Sequence, residues 1–259
     1  MLRDSYKDLK YFEESITKRE NLIEKNINQV KNGQVAEERI KQVKEFRIGL
    51  YKNNLTARYS AGITLGSKKA LMSDYINAVE LMDETWTPKV WNMKHPVRKK
   101  EVITLNQYTF SGFLDFSKML SLGILLDVPK EYVLKLVKFI DGDEVKDFFL
   151  EFLISYLIPT REEIIEESYA EFFHVNERYG ILKEIITEQD KIIAQEKLKI
   201  FLNKLWYPSF KGTPLYNQHN NPHNTYVGYW CFQAAAITKI MQLDDSSYRN
   251  NKYYPKDLV

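Results

Sequence analysis

Apolar side chains recur near the start of the chain with the period of an α-helix, and this pattern most constrains the fold. The spacings are sums of three and four residues, which place the side chains on one helical stripe. The stripe consists of Leu9, Phe12, Ile16, Ile23 and Val30. Asp4 or Ser5 is predicted to cap this helix, and Gly33 lies just past its end. A second helix over residues 35–60 would complete an antiparallel helical hairpin.

Helical patterns continue through most of the remaining chain. Further helices are predicted over residues 68–84, 105–125, 130–140, 143–157, 161–173, 187–206 and 226–243, with Thr160, Thr187 and Thr225 as caps of the last three. Residues 86–100 and 207–224 are predicted to be loops, and strand signals are nearly absent. We therefore predict an all-α fold, a bundle of roughly eight helices in two packed subdomains. Because Asp127-Val128-Pro129 breaks the pattern, the predicted domains are residues 1–127 and 128–259.

Composition indicates where such a protein acts. Cys231 is the single cysteine, so no disulfide forms within the chain and a reducing compartment is expected. The residues from Met1 to Lys10 are charged and lack the pattern of a signal peptide. The most apolar stretch, residues 110–128, is interrupted by Asp115 and Lys118, so no membrane span is expected. These features predict a cytoplasmic protein without membrane association.

Charge is distributed unevenly along the chain. Residues 141–190 hold 14 acidic and 4 basic groups, a net charge of 4 − 14 = −10. Because the whole chain has a net charge of +2, the remaining residues carry +12. Such asymmetry favours interaction with a charged partner.

The acidic excess is concentrated on one half of the helix predicted over residues 161–173. That half carries Glu162, Glu163, Glu166, Glu167 and Glu171. Like charges four residues apart cost an isolated helix roughly 0.2–0.5 kcal/mol per pair. The helix dipole offsets this cost only in the first turn. The face is therefore a candidate surface for binding a basic partner, and a solvated face without a partner is the alternative.

Three other groups of residues were weighed for chemistry. His219 and His223 have a spacing that binds zinc on a helix, but Pro222 between them disfavours a helix, so no metal site is predicted. Asp244 and Asp245 are either a catalytic carboxylate pair or, as we favour, a turn that ends a helix. The basic residues Lys94 and 98–100 are a weak signal for a nucleic-acid-binding module, which stays open as the alternative function.

Several segments resemble one known family. The C-terminal ones are YVGYWCFQAAAI from Tyr226, LDDS from Leu243 and YYPKDL from Tyr253. The N-terminal half carries Arg3-Asp4 and, after the long helix pair, RYSAG from Arg58. Together they resemble the two domains of PoNi-type immunity proteins over most of the chain. One departure is Gln233, where that family usually has Glu.

The resemblance implies an antidote that binds and neutralises a cognate bacterial PoNe-type DNase toxin and is not itself an enzyme. It implies no cofactor, no small-molecule substrate and no direct contact with nucleic acid. The five glutamates are predicted to bind the toxin, by occluding its basic DNA-binding or catalytic cleft or by an allosteric block. The motif residues are expected to hold the fold; they are Gly228, Tyr229, Trp230, Asp244, Asp245 and Tyr254.

Overall fold

The computed structural model describes residues 1–62, 66–87, 90–97, 101–161 and 176–259. Within these ranges it contains nine α-helices and one two-stranded hairpin, so the predicted all-α class is confirmed. The helices are α1 (Leu9–Lys31), α2 (Glu37–Ala61), α3 (Lys68–Thr85), α4 (Phe110–Leu126), α5 (Lys130–Gly142), α6 (Phe148–Leu157), α7 (Asn176–Ile186), α8 (Lys191–Ile200) and α9 (Phe232–Met241). The strands are β1 (Val90–Val97) and β2 (Glu101–Tyr108).

The chain forms two compact units. The first unit combines Met1–Trp86 with Phe210–Trp230, and the second combines Thr87–Ser209 with Cys231–Val259. The division of the chain into domains 1–127 and 128–259 stays a prediction.

Three helices form the frame of the first unit. α2 packs against both α1 and α3. The predicted stripe on α1 is buried at Phe12, Ile16 and Ile23, whereas Leu9 is 39% exposed. The cap of α1 is Asp8, whose carboxylate accepts from the Tyr11 amide at 2.8 Å. The predicted cap was wrong because Asp4 instead accepts from the Tyr6 and Lys7 amides in the preceding turn.

The second unit is built around α4. This helix is buried from Met119 to Leu126 and packs against α5, α6 and α9. A helix that is apolar nearly all round belongs inside a core, which explains why the other helices surround it. Asp127, in the left-handed conformation, ends α4, and Asp147 caps α6 by accepting from the Phe149 and Leu150 amides at 3.0 Å.

The loop predicted over residues 86–100 was wrong in part. β1 and β2 pair antiparallel, with Val90 opposite Tyr108 and Val97 opposite Glu101. The strand signal was overlooked because β1 contains Pro96, which disfavours a strand assignment, and because the connecting residues are basic rather than the Asn-Gly type of a tight hairpin. α4 consequently begins at Phe110, after β2, and not at residue 105.

Two of the predicted helix starts were also wrong. Asp190 caps α8, while the Thr187 hydroxyl donates back to the Lys183 carbonyl of α7 at 2.8 Å. Residues 225–231 are not helical, and α9 begins at Phe232. Gly228 explains the delay, because its φ of +123° is incompatible with a right-handed helix. The helix predicted to start at Thr160 lies outside the described residues beyond Arg161.

Candidate functional site

The turn at Gly228 brings three of the sequence motifs together in the first unit. The Ser60 hydroxyl donates to the Val227 carbonyl at 2.6 Å and accepts from the Trp230 indole N–H at 2.8 Å. A Cβ at Gly228 would lie 2.4 Å from Ser60 Oγ and 2.6 Å from Trp230 Nε1. Glycine is therefore required both by backbone conformation and by the close approach of these side chains.

The N-terminal residues complete the same cluster. The Arg3 amide donates to the Ser60 carbonyl at 3.0 Å, and the Arg3 guanidinium donates to the Tyr59 carbonyl at 2.9 Å. The guanidinium also lies 4.4 Å from the centroid of the Tyr59 ring, and that ring meets Trp230 edge-on at 4.9 Å. Residues 3–4, 59–60 and 228–230, which carry the family resemblance, thus pack against one another.

A second layer of aromatic rings adjoins this cluster. Tyr226 donates to the Asp4 carboxylate at 2.6 Å, and the Tyr6 ring lies 4.4 Å from the His219 ring, with the two planes tilted by 39°. The Tyr229 hydroxyl accepts from the His219 amide at 3.1 Å and lies 2.9 Å from its Nδ1. Burial, followed by the negative charge of Asp4, raises the pKa of Tyr226 far above its usual value, so it stays a hydrogen-bond donor.

Asp244, Asp245 and Tyr254 are placed in the C-terminal turn of the second unit. Asp244 accepts from the Ser246 amide at 3.0 Å and its hydroxyl at 2.9 Å. Asp245 accepts from Arg249 at 2.6 Å and from Tyr254 at 3.2 Å. Since local donors engage both carboxylates, the geometry is that of a turn rather than of a catalytic pair.

Gln233 lies at the packing face between α9 and α4. Its side-chain amide donates to Ser117 Oγ at 3.0 Å, and the residue is 4% exposed. Its carbonyl oxygen has no partner among the described residues, and neither does the Ser121 hydroxyl one turn further along α4. The residue that departs from the family pattern therefore occupies a polar position within the core.

The acidic segment divides into two parts. Of the eight acidic residues in 141–190 whose side chains the structure describes, seven have partners within the chain and only Glu144 is exposed without one that we identify. Arg161 binds Asp141 at 2.7 Å and Glu151 at 2.6 Å. Lys197 binds Glu184 at 3.5 Å and Glu188 at 3.3 Å. The other three are Asp143, which accepts from Tyr108, and the helix caps Asp147 and Asp190.

The predicted partner-binding glutamates were not tested. Glu162, Glu163, Glu166, Glu167 and Glu171 lie outside the described residues. They remain a prediction, as does any role of the basic run 98–100, which lies outside them too.

Sequence reasoning missed a set of buried arginines in the first unit. Arg58 pairs with Asp74 at 2.8 Å and with Glu20 at 2.5 Å. Arg19 has neutral partners, since it donates to Asn54 at 2.6 Å and to Ser15 at 3.1 Å. Burial lowers the pKa of Arg19 to about 10 and raises the pKa of Asp74 to about 6, the latter against the opposing charge of Arg58. The available signal was the position of Arg19, which lies between Ile16 and Ile23 on the apolar stripe of α1.

The described parts of the chain lack the features of a metal centre and of a membrane span. There, no group of three or more His, Cys, Asp or Glu is arranged to hold a metal ion. No described helix is both long and apolar enough to cross a bilayer. Cys231 is fully buried, and burial raises the pKa of its thiol, so its sulfur is a packing group rather than a nucleophile.

Comparison with known proteins gave two matches. A family model described as "PoNe immunity protein (PoNi), N-terminal" matches residues 3–138. A second, described as "PoNe immunity proteins (PoNi), C-terminal", matches residues 145–258. No curated protein and no solved structure matches the chain.

Proposed function

The chain belongs to the PoNi family of PoNe immunity proteins, and on that premise we propose that it neutralises a cognate PoNe-type DNase toxin by binding it. The observation that carries this proposal is the match of both family models, which together span nearly the whole chain. Binding without chemistry is sufficient for the role, and the toxin is met in the cytoplasm, where the DNA lies.

We assign the first encounter to the acidic segment 162–171. A DNase is basic where DNA enters, because contacts to phosphates dominate its affinity. A row of carboxylates imitates that phosphate track and accelerates association through long-range attraction. Occlusion of the DNA-binding or catalytic cleft is the inhibitory mechanism that this complementarity favours.

The charges on either side of the segment support this assignment. Most described acidic residues of 141–190 are held within the chain by Arg161, Lys197, Tyr108 or helix amides, so their carboxylates already have partners. The remaining acidity lies in residues 162–177. Arg161, directly before Glu162, is held by two carboxylates, which fixes the point from which the segment starts.

A charge-neutralisation experiment tests the mechanism. One variant replaces the five glutamates at 162, 163, 166, 167 and 171 with Gln. The control replaces five exposed glutamates in other parts of the chain with Gln, namely Glu13, Glu14, Glu80, Glu131 and Glu196, and so changes the net charge equally. The association rate with a nuclease-inactive cognate toxin is measured by stopped flow over a range of NaCl concentrations.

The first variant is expected to associate at least about tenfold more slowly at low salt and with a flatter salt dependence. The control should stay within about twofold of the unmodified chain, because its charges lie elsewhere. Equal association rates and equal salt dependences for the two variants would refute the role proposed for the acidic segment. Death of toxin-producing cells despite co-expression of this chain, without any association in solution, would refute the binding function itself.

A further inference from the structure

The far end of the hairpin formed by α1 and α2 exposes a group of apolar side chains. We call this group the hairpin tip; it consists of Ile27, Ile40, Val43 and Phe46. The Arg19–Asn54 hydrogen bond sets the antiparallel register, and counting eight residues outward on each helix places Ile27 opposite Phe46. Phe46 is 54% exposed and Ile27 40% exposed, so the described chain covers them only in part.

The hairpin tip is open because α3 is too short to cover it. Lys44 pairs with Glu84 at 2.5 Å, and α3 ends one residue later at Thr85. In this antiparallel register the α2 residues before Val43 have no α3 residue opposite them. Ile40 and Val43 are consequently only half-buried, although they lie on the face of α2 that packs inward elsewhere.

Arg47 lies on the same face, one turn after Val43. Its side chain is buried, with the residue 8% exposed, and its Nε has no hydrogen-bond partner among the described residues. No carboxylate of the described chain forms an ion pair with it, whereas Arg58 on the same helix has two such partners. A buried N–H without an acceptor is unfavourable, and a carboxylate brought close to the guanidinium relieves that cost.

Tyr51 adjoins this cation on the next turn of α2. Tyr51 follows Arg47 by four residues on α2; burial raises the pKa of its phenol, and the positive charge of Arg47 opposes that rise. The phenol is a second donor for an incoming carboxylate.

We propose that the hairpin tip and Arg47 form a second docking surface, which receives an acidic side chain of the partner protein flanked by apolar residues. This inference rests on the proposed function in one respect, that the partner is the toxin. The positive charge of Arg47 calls for an acidic group on the partner. The exposed side chains of Phe46 and Ile27 call for apolar residues beside that group, which a free anion in solution would lack. Arginine and aromatic side chains at such positions dominate binding energies in protein interfaces.

Two substitutions test the surface. R47Q removes the cation and F46S removes the apolar rim. The controls are R39Q, at an exposed arginine of the same helix, and I192S, at an isoleucine of α8 that is 67% exposed. Affinity for the nuclease-inactive toxin is measured by isothermal titration calorimetry.

R47Q is expected to raise Kd at least about tenfold and F46S at least about threefold. Both controls should stay within about twofold. R47Q should also unfold at the same temperature as the unmodified chain or a higher one, because it removes a buried charge that has no partner. A large fall in the unfolding temperature with unchanged Kd would show a structural role and overturn the proposal.

The failures of the two proposals are distinguishable. If the unmodified chain binds the toxin and R47Q and F46S bind equally well, this surface is refuted while the immunity function stands. If the unmodified chain does not bind the toxin, the proposed function fails first. A response of the Arg47 Nε–H resonance to sodium acetate or phosphate, with toxin affinity unchanged in R47Q, would indicate a free-anion site and overturn the protein-docking proposal.

Discussion

Two features of Gly228 each require glycine rather than another residue type. Its φ is +123°, and an added Cβ would lie 2.4 Å from the Ser60 hydroxyl. G228A is therefore expected to lower the free energy of unfolding by at least about 2 kcal/mol, from backbone strain and from displacement of Ser60 and Trp230. Urea denaturation followed by circular dichroism measures the change.

Gly49 provides the matched comparison. It lies within α2, and an added Cβ would have nothing within 4 Å. G49A is expected to raise the free energy of unfolding by about 0.5–1 kcal/mol, because alanine is the better helix former. Similar destabilisation by the two substitutions would contradict the special geometry assigned to residue 228.

Gln233 offers a test of the family departure. Q233E introduces the glutamate of the family pattern and so places a carboxylic acid at a residue that is 4% exposed. Burial raises the folded-state pKa of such an acid above its unfolded value of about 4.3. The variant should match the unmodified chain near pH 4 and lose stability as the pH rises through the raised pKa. If the difference in stability between Q233E and the unmodified chain does not change between pH 4 and pH 8, the site supplies a hydrogen-bond donor that stabilises the ionised glutamate.

At the scale of elements, most helices could be predicted and the connections between them could not. The helix predicted over residues 68–84 is α3 because Ser67 caps it and the helical period is uninterrupted. The start of α9 was misplaced because residues 226–231 are as apolar as the helix itself, and only the φ of Gly228 separates them. Hydrophobic periodicity shows only which residues are buried. This segment is buried by contacts with residues 3–4 and 59–60, which are distant in sequence, so the pattern could not show that the segment is not helical.

The candidate site was predicted only in part for the same reason. Gly228, Trp230 and the segment that holds Ser60 could be singled out from the family resemblance, but not the hydrogen bond that joins Trp230 to Ser60. Asp245 could be singled out in the same way, but not its partner Arg249. Arg47 gave no signal, since one arginine on an amphipathic helix is ordinarily solvated. Its lack of a counter-ion appears only when α1, α2 and α3 are assembled.

The ion pair between α2 and α3 predicts a pH dependence. Burial raises the pKa of Asp74 to about 6, whereas the unfolded value is about 3.9. The folded state therefore binds the Asp74 proton more tightly than the unfolded state does. Proton binding stabilises the folded protein fully below about pH 4, and this stabilisation is lost as the pH rises through 6. Each unit of pKa corresponds to about 1.4 kcal/mol.

D74N isolates this contribution because asparagine does not titrate. The difference in unfolding free energy, unmodified chain minus D74N, is expected to decrease between pH 4 and pH 6 and to stay constant above pH 7. Urea denaturation at each pH measures it, and the other titrating groups cancel in the difference. A difference that increases over this range would mean that Arg58 dominates and that the pKa is lowered.

At the scale of the whole molecule, each compact unit combines two stretches of the chain that are far apart in sequence. The first unit needs residues 210–230, since Tyr226, Val227 and Trp230 bind Asp4 and Ser60. The second unit needs α4, because the buried side chains of α9 pack on it and Gln233 binds Ser117. A cut at 127/128 therefore removes necessary residues from both units.

Separate expression of fragments 1–127 and 128–259 is expected to yield chains without cooperative unfolding and with poorly dispersed amide NMR spectra. Each fragment would expose apolar surface that the missing residues bury, at a cost of about 25 cal/mol per Å². Co-expression of the two fragments should restore a folded complex, because the missing residues are then supplied in trans. A dispersed spectrum and a cooperative transition for either fragment alone would instead establish residues 127/128 as a true domain boundary, and would mean that the contacts between residues 3–60 and 226–230 are dispensable for folding.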